Sequence, residues 1–147
     1  LKNEPHENYR FEGAQTLIDG LSGGKNYKTG RWIAFCGENL DATIDLQENQ
    51  EISNLKFNNN LTKGDWIFNA KSVKISVSDD GKEFKEIHYQ EFPIETIAED
   101  GVMNFNVDFD KTNARYVNVV IEPFMCPEGH SGYGYPAWIF VDELKIN

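Results

Sequence analysis

Three loop-like stretches carry aromatic and basic side chains at spacings suited to ligand contact. Residues 19–37 hold Tyr27, Arg31, Trp32 and Phe35 among Gly23, Gly24 and Gly30. Residues 123–136 set His130, Tyr133 and Tyr135 among Gly129, Gly132 and Gly134, and residues 58–69 carry Trp66 and Phe68. Rings on glycine-rich loops are costly to order unless they pack or bind. Tyr27, Tyr133 and Tyr135 suit contact, because a phenol stacks through its ring and keeps its hydroxyl wet. Arg31 and His130 either donate hydrogen bonds beside those rings or pack their own loops. Trp66 divides between contact and burial, the latter favoured by its neighbours Ile67 and Phe68. As a constellation these side chains match a neutral sugar, whose apolar C–H face takes a ring and whose hydroxyls take charged or amide partners.

Catalysis fits less well. Glycoside cleavage needs two carboxylates about 5–10 Å apart across a cleft. The chain has 24 acidic residues, but most fall on the outward phase of strands or in turns. No Ser-His-Asp context, nucleophile elbow or paired-His helix motif occurs. His6 falls in a polar leading stretch and His88 beyond a hairpin, which leaves His130 alone in a loop with site character. The chain is therefore not expected to be an enzyme. Its net charge of -10, with 14 basic residues scattered among 24 acidic ones, argues against nucleic acid and anionic membrane surfaces. No apolar run approaches the roughly 18 residues of a membrane span, so membrane insertion is not expected. Cys36 and Cys126 are too far apart for a zinc knuckle, and sequence leaves open whether they form one disulfide or stay free.

Positioning falls to strands. Val73, Ile75 and Val77 alternate with Lys74, Ser76 and Ser78, and Asp80-Gly81 supplies a tight turn before Phe84 and Ile87. The same period runs through Ala42, Ile44 and Leu46, through Met103, Phe105, Val107 and Phe109, and through Val117, Val119 and Ile121. Trp138, Phe140, Leu144 and Ile146 share one phase, and residues 52–57 form a strand whose phase slips at Asn54 and Leu55, the mark of a bulge. Residues 94–99, following Pro93, make at most one helical turn. Seven or eight short antiparallel strands with polar turns predict an all-β sandwich. Its 147 residues, 39% hydrophobic and 13% aromatic, suit one domain over residues 9–147. Residues 1–8 read as a short linker at the cut edge of a longer protein.

With these pieces in order, the chain resembles the discoidin-like, factor V/VIII type C domains, and among them the family 32 carbohydrate-binding modules. The matching segments are Leu17-Ile18-Asp19-Gly20 leading to Arg31-Trp32, Ala42 to Leu46, residues 73–84, Ala114-Arg115-Tyr116-Val117, and Val141 to Ile146. A narrower likeness, carried by Gly30-Arg31-Trp32, residues 126–130 and residues 136–143, is to the C-terminal domain of bacterial β-N-acetylhexosaminidases (chitobiases). The resemblance implies a jelly-roll, galactose-binding-domain-like sandwich. It also implies a glycan ligand, a catalytic domain in the same polypeptide and a periplasmic or extracellular bacterial setting. It places Trp32 in the core beneath the first loop. It further implies a structural Ca2+ held by Asp19, Glu143 and carbonyls near Leu17 and Ser22. Leu21 departs from that pattern, because the family often has a second Asp or Asn soon after the Asp-Gly pair. Asp142 rather than Glu143 shares the phase of Phe140 and Leu144. The competing expectation is a structural or protein-docking domain with no sugar site, which burial of Tyr27, Trp66, Tyr133 and Tyr135 together would favour.

Overall fold

Alternation of apolar and polar residues governs the computed structural model, which describes residues 1–147: 53% of them lie in strands and 7% in helix. The strands are β1 (Ile33–Cys36), β2 (Leu40–Leu61), β3 (Ala70–Ser78), β4 (Lys85–Glu91), β5 (Gly101–Pro123) and β6 (Trp138–Ile146). Three short 3-10 turns, Gly13–Leu17, Tyr27–Thr29 and Lys63–Asp65, supply all the helix. The strands pair antiparallel in the order β1-β6-β2-β5-β3-β4.

Six strands replace the seven or eight expected because β2 and β5, 22 and 23 residues long, each serve both layers of the sandwich. Register shifts between Asp45 and Gln50 and between Ile52 and Asn54 bend the pair, with Gln47 at a φ of 74°. A bulge concentrates twist and lets a strand turn a corner. Before the bend, residues 40–45 pair with 116–121, and β3 and β4 extend that layer. After it, residues 54–61 pair with 101–108, and β6 and β1 extend the other. One core lies between them, joining Leu40, Val73, Ile75, Val117 and Val119 to Leu55, Phe57, Val107 and Ile139. Each such side chain contributes about 1.5–3 kcal/mol by leaving water.

The single apolar phase expected for β6 breaks. Ile139, Val141 and Leu144 enter the main core, whereas Phe140 and Trp138 join Trp32, Ala34 and Ile67 in a second cluster with Tyr9 and Tyr27. The cause is a bulge: Asn58 pairs with Asp142 and Lys56 with Lys145, so one strand spends three residues where its partner spends two. Glu143 absorbs the extra step at a φ of 29°. Trp32, buried beneath the first loop, donates from Nε1 to the Gly24 carbonyl at 3.0 Å.

The remaining expectations meet different outcomes. Residues 1–8, expected as a linker, pack on the domain: His6 N donates to Ala34 O at 2.9 Å, Pro5 is buried, and the His6 ring lies 4.8 Å from Trp138. Residues 94–99 form no helical turn, because Glu95 folds its carboxylate onto the amides of Ile97 and Ala98 and gives its own N–H to Asn69 Oδ1. The β3–β4 turn forms as expected, with Asp80 Oδ1 accepting from Lys82 N and Glu83 N and Gly81 at a φ of 73°. Phe84, however, stays exposed at its end. Both thiols are free, Cys36 exposed and Cys126 buried.

Candidate functional site

At the end of the sandwich where β2 leaves for β3, the turn Lys63–Asp65 is held on all sides. Thr62 and Ile67 exchange backbone hydrogen bonds at 3.1 and 3.2 Å, and Trp138 N donates to Trp66 O at 2.8 Å. Trp66 sits inside this frame at a φ of 64°, a left-handed conformation that a bulky residue keeps only when its surroundings over-determine it. Lys63 anchors the turn from below: its Nζ donates to Asp100 Oδ1 at 2.9 Å and to the Ala98 carbonyl.

The loop between β5 and β6 closes on the Trp66 indole. Cys126 N donates to Tyr135 O at 2.9 Å and Ala137 N to Phe124 O at 3.0 Å, pinching the loop at its base. His130 Nδ1 accepts from Gly132 N at 3.0 Å, which leaves Nε2 to donate to Lys63 O at 2.7 Å. Both ring nitrogens are thus occupied, and His130 staples the loop to the 63–65 turn. A Cβ on Gly132 would stand 2.8 Å from the Trp66 ring and 3.0 Å from Cys126 Sγ, so glycine is what allows the approach. The result is a rigid rim bearing Tyr133 and Tyr135, each 64% exposed, with Tyr135 6.0 Å from half-buried Trp66 at 35°. Beside it, Lys63, Phe68, Thr96, Glu128 and His130 line a cavity of about 220 Å³.

Tyr27 and Arg31 do not belong to that rim in the same way. The Tyr27 ring packs edge-on against Tyr9 and Phe140 at 5.9 and 5.0 Å, and its hydroxyl donates to Asp65 Oδ2 at 2.7 Å. Burial, with the Asp65 hydrogen bond and charge added, pushes the Tyr27 pKa up to about 12. The wet hydroxyl expected of Tyr27 is therefore a buttress joining the first loop to the Trp66 turn. Arg31 is exposed at a φ of 65° with no hydrogen bond or ion pair. Of the six candidates, Trp66, His130, Tyr133 and Tyr135 are brought together. Lys63, whose carbonyl takes His130, and Asp65, which takes Tyr27, carried no sequence signal beyond their place next to Trp66.

The second feature is a carboxylate cluster where the first loop meets β6. The β6 bulge turns both Asp142 and Glu143 toward residues 19–24: Gly23 N donates to Asp142 Oδ2, and Gly20 N to Glu143 Oε2 at 2.9 Å. Asp19 Oδ1 accepts from Leu21 N at 2.8 Å. Asp142 is fully buried; the Asn58 side chain stands beside its carboxylate and holds its pKa down somewhat, but Oδ1 makes no hydrogen bond of good geometry. Burial first, then the charges of Glu143 and Asp19, raise the Asp142 pKa to about 6. Glu143 is also shifted upward, by burial and then by Asp19. An orphaned carboxylate oxygen among mutually repelling acids is the chemistry of a cation seat. No three His, Cys, Asp or Glu side chains converge on one point, however, so an ion here would draw its remaining ligands from backbone carbonyls, as calcium does.

The F5/8 type C domain family matches residues 2–139. None of the curated proteins matches the chain. Among solved structures, it is similar to CBM32-3 from a family 31 glycoside hydrolase of Clostridium perfringens, with a TM-score of 0.61 and 16% identity over 98% of this chain and 85% of that one. It is also similar to CpGH89CBM32-5 of Clostridium perfringens, solved with GalNAc-β-1,3-galactose, with a TM-score of 0.57 and 22% identity over 98% and 90%. A third is the C-terminal domain of a chitobiase from Bacteroides fragilis, with a TM-score of 0.53 and 22% identity over 91% and 78%. At these identities the likeness is one of fold.

Proposed function

This chain belongs to the F5/8 type C domain family, and from that premise we propose that it is a non-catalytic carbohydrate-binding module whose ligand sits against Tyr133 and Tyr135. The observation that carries the reading is that pair of exposed rings on a loop fastened at its base, by His130 and against Trp66. An exposed ring held still offers a sugar face a partner without the entropy cost of ordering it. The cavity of about 220 Å³ beside the rim is below the usual range for enclosed small-molecule sites and suits one sugar unit with its hydroxyls on Lys63, Thr96 and Glu128. Asp65 and Asp100 are engaged by Tyr27 and Lys63, and Glu128 is the one carboxylate that lines the cavity, where glycosidic chemistry needs two; this supports binding.

The ligand class is a hexose or N-acetylhexosamine, and the module serves a glycoside hydrolase of the β-N-acetylhexosaminidase type in the periplasm or outside the cell. The Clostridium perfringens module solved with GalNAc-β-1,3-galactose and the Bacteroides fragilis chitobiase domain support this choice. Calcium is the structural ion, held by Asp19 and Glu143 with carbonyls of Leu17 and Ser22, and it would supply charge neutralisation beside Asp142. A dissociation constant on the order of 0.1–1 mM follows for one stacked ring and a few wet hydrogen bonds. Titration calorimetry with galactose, N-acetylgalactosamine, N-acetylglucosamine and chitobiose tests it. Binding that is lost in Tyr133→Ala or Tyr135→Ala, with the fold intact, supports the site. Silence across the panel in the intact wild type leaves a structural or docking domain as the better account.

A further inference from the structure

The two layers of the sandwich are finished differently on their outer faces. The β1–β6 side is roofed by the Trp32–Phe140 cluster with Tyr9 and Tyr27, whereas the face made by β2, β5, β3 and β4 has no such cover. That bare face holds an open groove of about 640 Å³. Register sets its floor. Thr43 pairs with Asn118, Asn118 with Ser76 and Ser76 with Glu86, so four polar side chains form one row across four strands. Asp41 and Lys74 stand in the next row, on either side of Val120.

Several of these groups lack partners within the protein. Ser76 is 7% exposed, lines the cavity and has no hydrogen bond from its hydroxyl. Lys74 and Glu86 line it with no ion pair, in a chain where surface acids outnumber bases. Asn118 is fixed, its Nδ2 donating to Asp41 Oδ1 at 2.8 Å and Thr43 Oγ1 at 3.1 Å, so its carbonyl oxygen keeps a set direction. At the rim Phe84, 38% exposed, has no aromatic neighbour. Lys2 and Lys74 balance Asp41 and Glu86, which makes the groove locally neutral inside a protein of charge -10. Such a surface repels neither sign and attracts neither; it offers hydroxyl, amide, ammonium and carboxylate partners beside one apolar ring. That is the complement of an uncharged polyhydroxylated chain.

We propose that this open face is a second ligand site, taking a neutral oligosaccharide that lies across the four strands with one pyranose ring on Phe84. It is separate from the Tyr133–Tyr135 rim, and neither site requires the other. Amide chemical shifts of the nitrogen-15-labelled chain report both at once. Lactose, chitobiose, cellotriose and xylotriose are titrated singly to roughly 20 mM, enough to populate millimolar sites. The expected result is a saturable shift of amides 74–76, 84–86 and 117–119 with at least one sugar, unchanged in Tyr133→Ala. Phe84→Ala should weaken that set about tenfold or more while leaving the loop amides as in wild type. Lys74→Ala, a replacement of an unpaired side chain, repeats the test if Phe84→Ala does not fold. Groove amides that stay still with every sugar, or that shift equally in both groove variants, overturn the proposal. Loop shifts alone leave the Tyr133 site standing and overturn this one; groove shifts alone do the reverse.

Discussion

Asp142 is a carboxylate without enough partners, and the protein's response to pH should show it. Its buried Oδ1 is unsatisfied, and burial with the nearby charges of Glu143 and Asp19 lifts its pKa from the ordinary 3.8 to about 6. A raised pKa means that the folded state holds the proton more tightly than the unfolded chain does. Its contribution to stability is complete below the ordinary value and is lost as pH rises through about 6. In chelator, the melting temperature of the wild type relative to Asp142→Asn should therefore fall between pH 4 and pH 7, about the span from the unfolded to beyond the folded pKa. The Asn variant keeps an oxygen for Gly23 N while removing the titration. Parallel melting curves for the two proteins across that span would remove Asp142 as the titrating group. Calcium bound at Asp19 and Glu143, as proposed, would favour the ionised form of their neighbour, so adding it should flatten the slope.

At the scale of elements, what holds Tyr133 and Tyr135 in place is a loop closed onto Trp66 through a glycine. Replacing Gly132 by alanine puts a methyl 2.8 Å from the indole, where Trp66 is already fixed by backbone bonds on both sides. Overpacking of this kind costs about 1–3 kcal/mol. Gly132→Ala should lower the denaturant midpoint by that measure and weaken any sugar binding at the rim, while Gly134→Ala, with open space at its Cβ, meets no such clash beyond its φ of 89°. Strands and the β3–β4 turn were legible in the sequence because a two-residue period and an Asp-Gly pair act locally. The sandwich's corner was not, since β2 and β5 change layers at a bulge whose position depends on pairing partners far along the chain. The β6 bulge hid in the same way: Phe140 and Leu144 share a parity in the sequence and face opposite sides in space. That bulge is also why the ambiguity between Asp142 and Glu143 resolves as both reaching the first loop. Tyr27 and His130 were visible as site-loop residues, but their hydrogen-bond partners, Asp65 and the Lys63 carbonyl, arrive from a turn remote in sequence.

Across the whole molecule, segments far apart in the chain meet at the carboxylate cluster: the first loop and the last strand touch through Gly20 with Glu143 and Gly23 with Asp142, pairs more than a hundred residues apart. Whatever stabilises that junction restrains the chain almost end to end and should act on global unfolding, not on a local loop. The net charge of -10 sharpens the point, because a divalent cation relieves repulsion among Asp19, Asp142 and Glu143 that Lys145, the one basic group acting on Glu143, offsets only in part. An ion that binds only the native chain adds stability by mass action, about 2.7 kcal/mol at a free concentration a hundredfold above its dissociation constant. For a domain of this size that corresponds to a rise of roughly 5–10 °C in melting temperature. Calcium should produce such a shift over chelator at matched ionic strength, and magnesium, which demands tighter octahedral geometry, should produce less. Glu143→Gln keeps an acceptor for Gly20 N but removes the charge, so it should abolish most of the calcium-dependent rise. Equal midpoints in chelator and excess calcium, or an undiminished rise in Glu143→Gln, would mean that the junction is held by its backbone hydrogen bonds alone.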